Sequence, residues 1–408
     1  MEFRRTQMEN GLTIVAEVNP SAASMAAGFF ARTGSRDESP EVAGVSHFLE
    51  HMMFKGTPRR TCLDINREFD ELGATYNAFT SEENTVYYAA VLPEYQTRML
   101  DLLCDMLRPA LRREDFEMER NVILEEIALY QDQPDYRTYE SIMAEHFRGH
   151  PLGNGVLGTP QSIRAMKLRD MRAYFELRYS PGNVTVAAVG NLRYEALVEK
   201  VRAMCSHWTP HDAPRALSAS AGAKTRKTIV DKKLSREHVG LMSAAPDLSR
   251  EERYAAQILA TIVGDSTGSR LYYALVEPAL ADEASTSYSP MDGAGAFLTF
   301  LSVDPERAGR ALDIALAELK KFEDAGPTDE ELQAAKNKIA TGATLKGELP
   351  MGRLTAVGFD WVYRGEYVPL ADQIRAMLAV AKDQVLDVAR RYDLAGATIL
   401  ALGPVESL

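Results

Sequence analysis

The stretch Arg178–Gly190 aligns without a gap against Arg391–Gly403. Each copy begins with an Arg-Tyr pair at the end of a charged helical run, then passes through a β-branched, alanine-rich run to a glycine. Such a run between a helix and a glycine reads as a strand entering a turn. Pro93-Glu94 followed by Leu100-Asp101 recurs as Pro305-Glu306 followed by Leu312-Asp313, so the correspondence extends upstream. A chain that repeats a mixed helix-and-strand pattern at half its length is expected to fold as two similar units. Its 408 residues, 46% hydrophobic and 25% charged, supply core enough for two domains. The expected class is α+β, built from two similar α/β domains. These are residues 1–208 and 226–408, joined by a linker at 209–225 that contains the Pro-, Ala- and Ser-rich stretch Thr209–Ala223.

Residues His47-Phe48-Leu49-Glu50-His51 form an inverted H-x-x-E-H box. His47 and His51 are four apart, so on a helix they share a face and can offer two imidazole nitrogens to one ion. Glu50 stands beside that face. It is placed to hold a water rather than the metal, the division of labour that hydrolysis requires.

A third ligand is expected from another helix. Glu114–Ile127 lacks Gly and Pro and is dense in helix formers. Glu119 and Glu126 are two turns apart and share a face, whereas Glu125 is rotated about 100° away. Phase therefore favours Glu119 or Glu126 over Glu125 and leaves those two open. The repeat supplies an internal control: the matching positions of the second half are Ala335 and Gly342, and nothing in Leu259–Leu275 replaces the histidine box. If the acidic and histidine residues served the fold alone, both halves would need them. Three protein ligands with an open fourth position are also the pattern of a catalytic zinc site, whereas structural sites are usually closed and cysteine-rich.

Other features carry less. His146, His150, His207, His211 and His238 have no ligand-like partner at helical spacing and read as surface or hydrogen-bonded histidines. Cys62, Cys104 and Cys205 are an odd, scattered set, small buried residues rather than a disulfide framework. A net charge of −12 argues against nucleic acid and mildly favours basic peptides. No apolar segment follows the basic N-terminal residues, and no run of 18 apolar residues occurs anywhere, so a cytoplasmic chain without a membrane role is expected. The run Asn77–Tyr88, rich in Tyr and Thr, reads as a strand.

Six islands now stand in order. They are Gly34–Glu38, HFLEHMMFKGT (His47–Thr57), Gly73–Ser81, ERNVILEEI (Glu119–Ile127), His150–Gly153 with Gly158-Thr159, and Tyr179–Asn183. This set resembles the pitrilysin/insulinase family of zinc peptidases, in its half-length bacterial and mitochondrial-processing-peptidase-like members. The match is specific over the N-terminal half and weaker beyond it. The resemblance implies a LuxS/processing-peptidase-like metallohydrolase fold that forms one half of a clamshell. It implies Zn²⁺ held by His47, His51 and Glu126, with Glu50 and Glu119 as the catalytic carboxylates: Glu50 the base, Glu119 orienting a ligand histidine. It also implies that an edge strand pairs with an extended peptide at Asn77, Ala78 and Phe79.

One departure bears on assembly. Members of that family working as homodimers carry an Arg and a Tyr seven residues apart after a Ser-Arg-Leu turn. Here Ser269-Arg270-Leu271 is present, but Val276 and Glu283 occupy those positions, with Tyr288 further on as the alternative. The expectation is a second half-length subunit that supplies the pair, and otherwise a homodimer. The rival readings are a non-catalytic or weakly active assembly subunit of a processing-peptidase-like complex, and a zinc hydrolase acting on something other than peptides.

Overall fold

The computed structural model describes residues 1–408. The first half contains β1 (Glu2–Gln7), β2 (Thr13–Val18), β3 (Met25–Ala31), α1 (Val45–Met53), α2 (Cys62–Glu71), β4 (Thr75–Thr80) and β5 (Thr85–Val91). It continues through α3 (Gln96–Met106), α4 (Arg113–Gln131), α5 (Pro134–His146), α6 (Pro160–Ala165), α7 (Leu168–Arg178), β6 (Val184–Gly190) and α8 (Tyr194–Cys205). The second half contains β7 (Arg226–Val230), β8 (Glu237–Ala244), α9 (Arg253–Gly264), β9 (Glu283–Pro290), β10 (Gly295–Val303) and α10 (Ala308–Ala325). After these come α11 (Asp329–Gly347), α12 (Pro350–Arg364), α13 (Leu370–Ala379), α14 (Lys382–Tyr392) and β11 (Thr398–Gly403). No helix is long and apolar enough to cross a membrane.

The repeat has its structural counterpart. One sheet runs β1-β2-β6-β3-β5-β4, the other β7-β11-β8-β10-β9. The aligned segments at 178–190 and 391–403 end in β6 and β11. Each of these pairs parallel with one neighbour (β2, β7) and antiparallel with the other (β3, β8). The second sheet repeats the first without β1. Strand β3 is buried along its whole length, as expected of an inner strand covered on both faces.

The compact units differ from the two sequence halves. One consists of Met1–Ile127, Asn154–Ala216 and Thr344–Pro369; the other of Ala128–Gly153, Leu217–Ala343 and Leu370–Leu408. The expected blocks 1–208 and 226–408 thus exchange a segment each. Packing explains the trade. In the first unit α12 lies on the sheet beside β2, β3 and β6, with Leu354 and Val357 in a core with Phe30 and Val189. A Cβ at Gly358 would sit 2.2 Å from the Phe30 ring, so glycine allows that helix to approach. Buried Arg353 fixes it further, pairing with Glu17 of β2 at 2.8 Å. In the second unit α5 lies on β8 and β11, where a Cβ at Gly240 would meet Ile142 at 2.9 Å.

The stretch 209–225 contains no helix or strand. Its first part is tied down within the first unit. Arg215 donates to Asp37 at 2.6 Å, and the Ser180 hydroxyl accepts from the His211 amide at 2.8 Å. The expected single strand over Asn77–Tyr88 is instead a hairpin, β4 and β5 in antiparallel register with Thr80 opposite Thr85. Ser81 turns the chain: its hydroxyl accepts the amides of Glu83 and Asn84.

Candidate metal centre

The histidine box folds as α1. Gly44, at φ 90°, starts the helix, and the Glu38 carboxylate accepts the amides of Gly44 at 2.6 Å and Ser46 at 2.7 Å. These amides are orphan donors of a helix N-terminus, and a carboxylate there also meets the positive end of the helix dipole. Burial pushes the Glu38 carboxyl up to about 8, against the pull of those two donors. The Phe48 ring stacks on Phe116 of α4 at 4.8 Å, setting the two helices side by side.

Between those helices His47, His51 and Glu126 converge, each offering an atom within 4.8 Å of the others. The two histidine Nε2 atoms are 3.2 Å apart, His47 Nε2 is 3.6 Å from Glu126 Oε1, and His51 Nε2 is 3.3 Å from Glu126 Oε2. Bond lengths near 2.0–2.2 Å would place the ligand atoms of a tetrahedral zinc roughly 3.3–3.5 Å apart. The three observed separations lie close to that spacing, with Glu126 meeting the two histidines through different oxygens, so the residues present fit the ion. The Glu126 carboxylate faces both histidines, one through each of its oxygens.

Electrostatics agree. Burial opposes charge on His51, but hydrogen bonds to Glu119 and Glu126 and their negative charge raise it to about 9. Burial, with His51 beside it, lowers His47 to about 4. The pocket accommodates one positive charge and resists a second proton. Glu126 is held below the ordinary carboxylate range: burial works against its charge, and the two histidines outweigh it.

Around this cluster, His51 Nδ1 meets Glu119 Oε1 at 2.8 Å, which leaves Nε2 to face His47 and Glu126. Lys55 pairs with the other Glu119 oxygen. Glu50 sits at the rim of α1. Burial pushes its carboxyl above the usual range, while a hydrogen bond from the Thr80 hydroxyl at 2.7 Å and the nearby His51 pull it back. Glu125 is exposed, as its helical phase predicts.

Strand β4 is the edge of its sheet beside α1. Asn77 is exposed and accepts its own neighbour's amide, from Ala78, at 2.8 Å. Ala78 is buried, and Phe79 packs with Tyr88 and Phe359. Lys55, Thr80 and Glu38 were not singled out by spacing. Each lies inside one of the six islands, so the islands marked the region without marking the role.

The second unit holds no counterpart. Helices α4 and α11 are both 19 residues long, and the seventh and fourteenth positions are Glu119 and Glu126 in one, Ala335 and Gly342 in the other. Val276 ends a π-helical turn, Tyr272–Val276, and packs against that unit's core; Glu283 is exposed at the start of β9. The Tyr288 hydroxyl is committed to the Pro246 carbonyl at 2.8 Å.

The sequence profile of insulinase (peptidase family M16) matches residues 13–160, and that of the peptidase M16 inactive domain matches residues 165–339. The chain belongs to the insulinase family. The inactive-domain match covers most of the half that lacks the histidine box. An uncharacterized zinc protease of Streptomyces coelicolor is 34% identical over 415 residues, 99% of this chain and 90% of the relative. Two solved structures share the fold with a TM-score of 0.91: a protease from Helicobacter pylori, 20% identical over 99% of both chains, and a peptidase M16 inactive domain from Pseudomonas fluorescens, 18% identical over 100% of this chain and 99% of that one. This insulinase-family chain therefore matches its relatives along nearly its full length.

Proposed function

We propose that this chain is a zinc-dependent endopeptidase that cleaves extended peptides and works with a second half-length chain. The observation that carries the reading is the convergence of His47, His51 and Glu126 within ligand distance of one ion, with Glu50 beside them. Relatives named zinc proteases support the choice of ion.

In this reading His47, His51 and Glu126 hold the zinc. When bound, zinc supplies Lewis-acid chemistry, polarising the scissile carbonyl and acidifying the attacking water. Glu50 takes the proton from that water and passes it to the leaving amine; its raised basicity in a buried setting suits both steps. Glu119 holds the His51 ring through Nδ1. The free edge of β4 takes the peptide as an added strand at Asn77, Ala78 and Phe79, which selects extended shape over sequence. Val276 and Glu283 leave the chain without the Arg and Tyr of the resemblance, so a partner subunit supplies them.

Metal analysis beside a fluorogenic peptide assay tests the core of this. The zinc-loaded chain, with its partner, should hydrolyse the peptide; chelation should abolish hydrolysis, and zinc should restore it. Glu50→Gln should retain zinc and lose about 10²–10⁴-fold in rate. Loss of zinc in Glu50→Gln would make Glu50 a ligand. Bound zinc without hydrolysis beside any partner would favour an assembly subunit instead.

A further inference from the structure

Glu50 makes a single hydrogen bond, and it comes from the strand rather than from its own helix: the Thr80 hydroxyl donates to Oε2 at 2.7 Å. Thr80 ends β4, opposite Thr85 in the hairpin register. The Thr85 hydroxyl donates to the Thr33 carbonyl at 2.9 Å, so its one proton is committed away from Thr80. Thr80 is 3.5 Å from that oxygen and 2.7 Å from the carboxylate, and the shorter contact takes its proton. The orientation is thus set by a short relay: Thr33 fixes Thr85, Thr85 leaves Thr80 free to donate, and Thr80 holds Glu50. In β4 the residues alternate, so Tyr76, Ala78 and Thr80 share one face, while Asn77 and Phe79 lie on the other. Tyr76 stacks on Phe69 of α2 at 3.9 Å and Ala78 is buried, so the Thr80 face points at the helices.

We infer that Thr80 is a positioning residue that holds the Glu50 carboxylate through its hydroxyl, so that the strand proposed to receive the peptide also sets the geometry of the base. This rests on the peptidase reading for its effect on rate, but not for its effect on Glu50. A glutamate on a helix rim has three rotatable bonds, and a single anchored oxygen removes most of that freedom. An error of 1 Å in the place of a reacting group can cost about 10²-fold in rate. The other faces of Glu50 need no partner to be held, because the helix fixes its Cα and Thr80 fixes its far end.

The test uses the zinc-loaded full chain with its partner subunit and compares Thr80→Val, Thr80→Ser and the double variant Thr80→Val with Glu50→Gln. Valine keeps the β-branched shape that suits a strand and removes only the donor. Thr80→Val should lower kcat roughly 10- to 100-fold with KM, zinc content and melting temperature unchanged. Thr80→Ser should restore most of the rate. In the Glu50→Gln background, Thr80→Val should add nothing, because a residue that acts through Glu50 has no effect once the base is gone. Crystal structures of the Val and Ser variants read the position directly: Glu50 Oε2 should leave its place in Val and keep it in Ser. An unmoved Glu50 in Thr80→Val, or a further loss of rate in the double variant, overturns the assignment. If Glu50 moves as expected but the wild-type chain cleaves no peptide beside any partner, the positioning stands and the peptidase reading falls.

Discussion

Lys55 Nζ lies 2.5 Å from Glu119 Oε2. The other oxygen of that carboxylate holds His51 Nδ1, so a lysine just beyond the end of α1 reaches a candidate ligand through one intermediary. Burial alone would disfavour charge on Glu119. Its hydrogen bonds to His51 and Lys55 keep it ionised, with its affinity for protons below the ordinary carboxylate range. An ionised Glu119 is what an Nδ1–H donor requires, and it makes the opposite ring nitrogen a better ligand. Lys55→Met should therefore weaken zinc binding by about 10–100-fold, the usual cost of losing an outer-shell partner. Competition against a chromophoric chelator measures it. Lys55→Arg should recover part of the loss, and unchanged affinity in Lys55→Met would remove Lys55 from the chain of contacts.

Adjacent glutamates on α4 should behave oppositely. Glu126 approaches both histidines, while Glu125 is exposed one position earlier. Glu126→Gln should release zinc on dialysis, and Glu125→Gln should keep it at one ion per chain. Glu119→Gln should fall between the two, because it loses the orientation of His51 and no ligand. Equal zinc content in the Glu126 and Glu125 variants would sink the ligand assignment.

Protons and zinc compete for the same pocket. In the metal-free chain His51 is raised from an ordinary value of 6.5 to about 9. A raised histidine favours the folded state in full only where both states are protonated, so its contribution is fully present below about 6.5 and is lost as pH climbs through about 9. Metal-free protein should therefore lose melting temperature between those two values. Zinc affinity should move the other way, rising about tenfold per pH unit while one proton is displaced. Calorimetric melts of chelated and zinc-loaded protein across this range check both slopes. A flat melting temperature in the chelated chain would show that His51 is neutral there.

The parts of the molecule that were legible in sequence are those governed by local periodicity. The two sheets follow from the Arg178–Gly190 and Arg391–Gly403 repeat, and the alignment of Glu119 with Glu126 follows from helical phase. Glu126 could not be separated from Glu119 by phase, since both share the face; the family resemblance chose between them. The exchange of α5 and α12 was hidden for a different reason. Which sheet a helix covers depends on contacts such as Gly358 with Phe30 and Gly240 with Ile142, where a glycine gains its meaning only from a residue far away in the chain. Lys55 and Thr80 are unmarked in sequence for the same reason: both are ordinary polar residues whose partners, Glu119 and Glu50, lie 64 and 30 positions away. The turn at Ser81–Asn84 carries neither glycine nor proline and is closed by a serine hydroxyl, so composition does not mark it.

Assembly offers the last test. Val276 packs against the core of its unit and Glu283 stands exposed at the start of β9, so neither can supply the cation and the phenol that the resemblance places near the scissile bond. Tyr288 is no substitute while its hydroxyl serves the Pro246 carbonyl. The isolated chain should bind zinc and hydrolyse peptides slowly, because substrate orientation is incomplete and orientation is worth several kcal/mol of a barrier. A second half-length chain that carries Arg and Tyr at these positions should raise the rate by roughly 10²-fold or more. Val276→Arg with Glu283→Tyr should give partial rescue in the absence of that partner, provided two copies associate so that each completes the other's site. Because arginine at 276 disturbs a packed position, Glu283→Tyr alone is the control for folding, and sedimentation shows whether copies pair. Full activity of the unmodified chain by itself, with no gain from any partner, would show that the missing contacts come from elsewhere in this sequence.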